Sequence, residues 1–229
     1  DALPRYQDVP ASIDKLTSFD AKLEFSHVRS SLGAVDGEKG IEWGLGTLVN
    51  YVDGDTIPKI GGNFDFGFAL PLKNSSIWFR NAAGVAFGDA TDEFANFFFG
   101  GFGNNYIDHQ KVKRYREFYA MPGFELNAIP GRNFHRAMLE WNLPPLRFSR
   151  AGTPNFYTSW ARTSIFATSL ITNFDDSAIR QEAANIGAQI DFKFKVRSRY
   201  DLTLSVGYAT GFLDGSQFDE EFMVSLKIL

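Results

Sequence analysis

Few residues in this chain have the type and spacing that bond-making chemistry needs. His27, His109 and His135 are scattered and match no metal-ligand spacing. The chain contains no Cys, so neither a disulfide scaffold nor a thiolate metal site is available. Gly100-Gly101-Phe102-Gly103 lacks the Lys-Ser/Thr that completes a phosphate loop, and no helical pattern follows it. Asp53-Gly54-Asp55 reads as a turn rather than a calcium loop, and no Gly-x-Ser-x-Gly marks an activated serine. These patterns point to no enzyme, no cofactor and no metal. The chemistry that remains is electrostatic. Arg114, Tyr115 and Arg116 sit in a long irregular stretch, 104–131, and a carboxylate, Glu140, follows it. A stretch that long without periodicity is usually functional.

The elements that must position these groups are strands. From Ile186 to Val196, Ile186, Ala188, Ile190, Phe192, Phe194 and Val196 share one parity, while Gly187, Gln189, Asp191, Lys193 and Lys195 share the other. A helix would spread those charges around its cylinder, so only a period of two sorts them. Similar alternation predicts ten strands, near 20–30, 40–52, 60–71, 76–88, 93–103, 132–143, 156–171, 185–196, 199–212 and 220–229. Most have the roughly 9–11 residues that a tilted strand needs to cross a bilayer. Turn signals separate them at Asp36-Gly37, Asp53-Gly54, Asn74-Ser75 and Asp214-Gly215.

Composition decides which way these strands face. Mean hydropathy is -0.18, ordinary for a soluble chain, yet 16% of residues are aromatic and 24 are Phe. No run of roughly 18–20 apolar residues offers a membrane helix. In a transmembrane barrel, lipid-facing and lumen-facing residues alternate, so average hydropathy cancels while the aromatics find a place at the interfaces. The polar faces are rich in Gly, Ala and Ser, as in a crowded lumen, and Tyr51, Tyr200 and Tyr208 stand near strand ends. A soluble ligand-binding β-barrel, with its apolar face turned inward, is the alternative that alternation alone leaves open. The formal net charge of -4 excludes a basic nucleic-acid surface. The expected fold is therefore all-β, an antiparallel transmembrane β-barrel of about ten strands. Residues 1–19 form an N-terminal segment or linker, and residues 20–229 form the barrel, with the 104–131 loop directed into its lumen. Asp1–Leu16 has no charged-then-apolar leader pattern, so the sequence is either mature or begins partway along a longer polypeptide, the second being the expectation.

Within this frame Glu140 falls on the lumen parity with Arg136, Met138 and Asn142, opposite His135, Leu139 and Trp141. A lumen carboxylate can hold a loop arginine in a charge-assisted pair, so Arg114 or Arg116 is expected to reach Glu140 and pin the loop inside. One more solvated lumen charge, balanced by Arg136 or Arg162, is the simpler alternative. Gly100 and Gly101 are expected to permit a bulge or close packing beneath the loop.

From Phe97 onward the chain resembles the C-terminal part of the bacterial surface antigen family, the outer-membrane superfamily of barrel-assembly and two-partner secretion proteins. The resemblance rests on Phe97-Phe98-Phe99-Gly100-Gly101 ending a strand and Lys113-Arg114-Tyr115-Arg116 in the long loop. Pro130-Gly131-Arg132-Asn133 and Leu139-Glu140-Trp141-Asn142-Leu143-Pro144-Pro145 follow, and then four further strands. Departures are Tyr115 where the loop motif has Gly, Trp160-Ala161-Arg162 where an aromatic-Asp pair is common, and a terminal Leu229 in place of an aromatic. The resemblance implies that the ten strands correspond to the last ten of a sixteen-stranded barrel; a smaller closed barrel is the alternative. It also implies a bacterial outer-membrane location, membrane lipid as surroundings, and protein clients or partner subunits. The function it implies is a conduit or the barrel of a secretion or insertion machine. A non-transporting anchor or structural subunit is the other reading.

Overall fold

The computed structural model describes residues 15–52, 54–88, 92–102, 112–149, 151–197 and 199–228. Thirteen strands alternate with turns: β1 (Leu16–Arg29), β2 (Lys39–Val52), β3 (Asp55–Ala69), β4 (Ser76–Ala86), β5 (Phe97–Phe99), β6 (Ile129–Gly131), β7 (Asn133–Asn142), β8 (Leu146–Arg147), β9 (Gly152–Thr153), β10 (Phe156–Thr172), β11 (Gln181–Val196), β12 (Tyr200–Leu213) and β13 (Ser216–Ile228). Two single 3-10 turns, Glu93–Ala95 and Arg114–Arg116, are the helical elements among the described residues. The fold is all-β. One antiparallel sheet of 11 strands runs β1-β2-β3-β4-β7-β10-β11-β12-β13, with the short β8 and β9 paired onto β10. Each long strand thus lies beside its neighbours in sequence, apart from the detour between β4 and β7.

Local chemistry sets the hairpins. At the β12–β13 turn Asp214 has φ 48° and Gly215 has φ 82°. Two positive φ values in a two-residue loop match the right-handed twist of the flanking strands. At the β2–β3 turn Gly54 has φ 111° and Val52 lies opposite Asp55; Asp53 lies outside the described residues.

One face of the sheet leaves apolar side chains exposed, and the other buries polar and charged ones. On β11, Ile186 is 52% exposed while Gln189 is fully buried. On β7, Leu139 and Trp141 are exposed and Glu140 is not. The same holds across the sheet: Leu45, Phe64, Phe66, Val224 and Leu226 are exposed, whereas Arg80, Arg136, Arg162 and Asp191 are buried. Rings meet across strands on the apolar face, as in Phe25–Trp43 at 5.9 Å and Phe66–Phe79 at 5.1 Å.

Between β4 and β7 the chain leaves the sheet and packs onto its polar face. Here the expected strand at 93–103 is corrected. It shrinks to β5, which pairs with β6 in a separate two-stranded sheet, so β4 pairs directly with β7. The physical reason lies in its side chains. Phe97, Phe98 and Phe99 are apolar on both parities, so this segment cannot face a polar interior with alternate residues. Phe97 and Phe99 instead nucleate a core with Met121, Phe124 and Ile129 against Ala82, Phe134 and Leu170. The main path consequently has nine long strands rather than ten, and the inward segment begins soon after Ala86 rather than at 104. β1 also begins at Leu16, inside the stretch expected to be a linker.

Trp78 occupies the polar parity of β4, where sequence periodicity makes it an intruder. It is buried, its indole N–H donates to the Gly37 carbonyl at 3.2 Å, and the Arg80 guanidinium lies 4.8 Å from its ring.

Candidate functional site

Strand β7 carries Glu140 to the middle of the buried face, and the inward segment delivers its partners. Arg116 Nε donates to Glu140 Oε2 at 2.9 Å and Oε1 at 3.1 Å, and its Nη2 also donates to Oε1. Arg80 Nε, from β4, reaches Oε2 at 2.7 Å, and the Tyr115 hydroxyl donates to Oε1 at 3.0 Å. Lys113 Nζ stands 3.4 Å from Oε1 and donates to Asn142 Oδ1 and Ser164 Oγ. A second carboxylate, Asp36 in the β1–β2 connection, joins Arg116 Nη2 at 2.8 Å to Arg162 Nη2 at 2.7 Å. Asp65 takes the far side of Arg80 at 2.8 Å.

The expected pairing therefore forms through Arg116. Arg114 goes elsewhere: it lines a smaller cavity of about 400 Å³ with Glu125, Glu220 and Glu221 beside β13. Tyr115 is fully buried and stacks on Phe166 at 4.2 Å with 11° between planes, while its carbonyl accepts from Arg136 Nη2 at 2.8 Å. Burial raises the Tyr115 phenol well above its ordinary value, and the adjacent Glu140 charge adds to this, so it remains a donor. Burial pushes Asp36 upward, but Arg116, Lys113 and Arg162 outweigh it and hold the carboxyl below its ordinary value. Lys113 is lowered to about 7, first by burial and then by neighbouring Arg116.

Gly100 and Gly101 close β5 by tight packing rather than by a sheet bulge. The Gly101 N–H donates to the Phe124 carbonyl at 2.9 Å, and a Cβ on Gly100 would overlap the Glu125 carbonyl. Gly103 and residues 104–111, including His109, lie outside the described residues. Further along, Gly123 touches Gly211 of β12 backbone to backbone. Glu221 of β13 accepts the Phe102 and Gly123 N–H groups at 3.1 Å each. The segment is thus held from the β1–β2 connection across to β13.

Sequence reasoning placed Arg114 or Arg116 on Glu140 but missed Tyr115, Asp36, Arg80 and Lys113 as partners. Asp65 and Arg80 carried a signal, because both lie on polar parities of adjacent strands and pair in register. Asp36 carried none beyond a turn.

Chemically the arrangement is a latch. Glu140 is saturated with donors and has no exposed surface, so it is not poised to move a proton to a substrate. His27 and His135 both face outward on the apolar side, away from it. Among the described residues no group of three or more His, Cys, Asp or Glu could hold a metal. Beside the latch is a cavity of about 760 Å³, lined by Lys22, Glu24, Glu42, Asp65, Arg116 and Tyr119 among others. Compared with known proteins, the chain matches no family model, no curated protein and no solved structure.

Two outcomes are expected. Glu140→Ala leaves buried cations unpaired, which costs on the order of 3–5 kcal/mol, and new protease cleavage should appear between Asn104 and Arg132; an unchanged cleavage pattern refutes the latch. The second concerns Lys113, whose value is about 7 folded and 10.5 ordinarily. Between those values the unfolded chain holds a proton that the folded chain has lost, so raising the pH through the window stabilises the docked segment. Protease resistance should rise accordingly, and Lys113→Met should remove its slope; the same slope in the variant rules Lys113 out as its source.

Proposed function

We propose that this chain is part of the wall of an outer-membrane β-barrel, with the segment between β4 and β7 as an internal plug that regulates a conduit. One observation carries the reading: the sheet exposes its apolar face and buries its charges. A contiguous apolar face of this extent, with Leu23, Leu45, Phe64, Phe66, Leu139, Ile186, Val224 and Leu226 open, marks a surface made for apolar surroundings. Acyl chains provide them, and antiparallel strands of 10–17 residues are long enough to cross. The resemblance to the bacterial surface antigen family supports this reading with a long inward segment followed by five long strands, although Arg116 rather than Arg114, which matches its loop motif, reaches Glu140. That resemblance supports a bacterial outer-membrane location with protein clients or partner subunits.

A conduit is favoured over a passive anchor by the 760 Å³ cavity between the plug and β1–β3. Its lining mixes acidic and basic side chains, as suits hydrated solutes. The anchor reading draws on a different observation, the multiple ties that hold the plug from Asp36 to Glu221.

The membrane reading is tested by Ile186→Lys. On a lipid-facing position near mid-membrane a lysine costs about 2–4 kcal/mol, whereas on a solvated face its effect stays within about 0.5 kcal/mol. Loss of stability in lipid vesicles is expected, and a neutral result defeats the proposal. Conductance decides between conduit and anchor: planar-bilayer channels should widen when residues 112–128 are deleted, and an anchor stays silent.

A further inference from the structure

The wall beside the latch is built from residues too small to fill the space they enclose. Gly44 and Gly46 on β2 and Gly61 on β3 line the cavity, and a Cβ at Gly46 would meet no atom closer than 3.8 Å. Phe118 and Tyr119 of the inward segment line it as well. Its volume of about 760 Å³ falls among small-molecule sites, which span about 300–1,000 Å³. The missing side chains leave room for a guest.

Charge sets what that guest must be. Most cations of the lining are answered by carboxylates of the chain: Lys22 by Glu24 at 2.7 Å, Arg80 by Asp65 at 2.8 Å and Arg116 by Asp36 at 2.8 Å. Arg136 on β7 is different. It lines the cavity and is only 3% exposed, yet it forms no ion pair with any described carboxylate. Its Nη2 donates to the Tyr115 carbonyl at 2.8 Å and touches Met138 Sδ at 3.9 Å, while its buried Nε has no acceptor. Its cross-strand partners, Ala82 on β4 and Leu170 on β10, offer apolar side chains only. A cation sealed from water without a counter-charge is destabilising. Lys59 on β3 also lines the cavity without an ion pair, its ammonium donating to the Asn96 carbonyl beside the Phe97 ring. Of the lining carboxylates, Glu42 joins Arg80 at 3.7 Å, and Asp20 stands exposed on β1, four strands along the sheet from β7.

We infer that the cavity is a binding site for a small organic anion, whose phosphate or carboxylate head pairs with the Arg136 guanidinium while its body lies against Phe118 and Tyr119. A guanidinium presents parallel N–H groups that match either oxyanion head. The row of cross-strand partners Gly44–Asn63–Ala82–Arg136 sets where the head fits. Ala82 stands between Asn63 and Arg136, whose Cα atoms are roughly 10 Å apart at two strand spacings. A head seated over the Ala82 methyl group therefore has a carboxamide on one side and the guanidinium on the other. As a binding site this stands whether or not the chain conducts; as the solute class of the conduit it rests on the reading proposed above.

The test uses the full polypeptide in detergent micelles, with Trp43 and Trp78 in the lining as fluorescent reporters. Phenyl phosphate and benzoate are the probes, and benzyl alcohol at the same concentrations is the neutral control. Saturable quenching by one or both acids and none by the alcohol is expected, and the tighter acid identifies the head. Arg136→Gln should weaken that binding about tenfold or more, through loss of a charge-assisted hydrogen bond. Gly46→Leu fills the open space from β2, away from Arg136, and should abolish binding; it carries the test if the Arg136 variant does not fold. No quenching by either acid, equal quenching by the alcohol, or unchanged binding in a folded variant overturns the site. Planar-bilayer recordings separate the two levels. Binding to a chain that conducts nothing keeps the site and sinks the conduit, while open channels in a chain that binds neither acid sink the site alone.

Discussion

A carboxylate without exposed surface persists only if cations and hydroxyls replace the water it has lost, and Glu140 is such a group. Arg116, Arg80, Lys113 and Tyr115 all converge on it, from the adjacent strand β4 or from the inward segment. That one requirement fixes the depth of the segment, the rotamer of Arg116 and the position of the β1–β2 connection, whose Asp36 neutralises the second side of the same guanidinium. Breaking the group strands several buried charges together, so it acts as a unit rather than as separate pairs.

The rest of the interior extends from this centre. Tyr115 on Phe166 carries the ionic cluster into an apolar one with Phe102, Met138 and Met223. A second apolar cluster forms around Phe97, Phe99 and Phe134. The protein thus has an apolar core, but it lies between the inward segment and the sheet, while the larger apolar surface faces outward. The inward segment thus shares an apolar core with the sheet and is tied to it by charges and backbone contacts.

Much of the sheet was legible in the residues themselves. Period-two alternation assigned five of the long strands, β2, β4, β7, β10 and β12, to within two residues of their ends and put Glu140, Arg136 and Asn142 on the buried side, because a strand offers each side chain only two directions. The other four, β1, β3, β11 and β13, begin four or five residues upstream of their expected starts. The Phe97–Phe99 segment was misread because apolar residues on consecutive positions suit a strand in either setting, and only its contact with Phe134 shows which one. Trp78 looked like a flaw in its face until its partner, the Gly37 carbonyl, was in view.

The alternation, the turn residues and the absence of catalytic spacing are local properties, and sequence alone determined them. It also narrowed the ion pair to Arg114 or Arg116 with Glu140, because strand parity and a long loop are local as well. Tertiary structure decided which arginine, since the 3-10 turn at Arg114–Arg116 sends Arg116 to Glu140 and Arg114 toward β13. It alone decided the role of Asp36, which stands 80 residues from Arg116 and 126 from Arg162. Charges that far apart in the chain leave no pattern to read, because what joins them is a shared low-dielectric interior that exists only once the strands have paired.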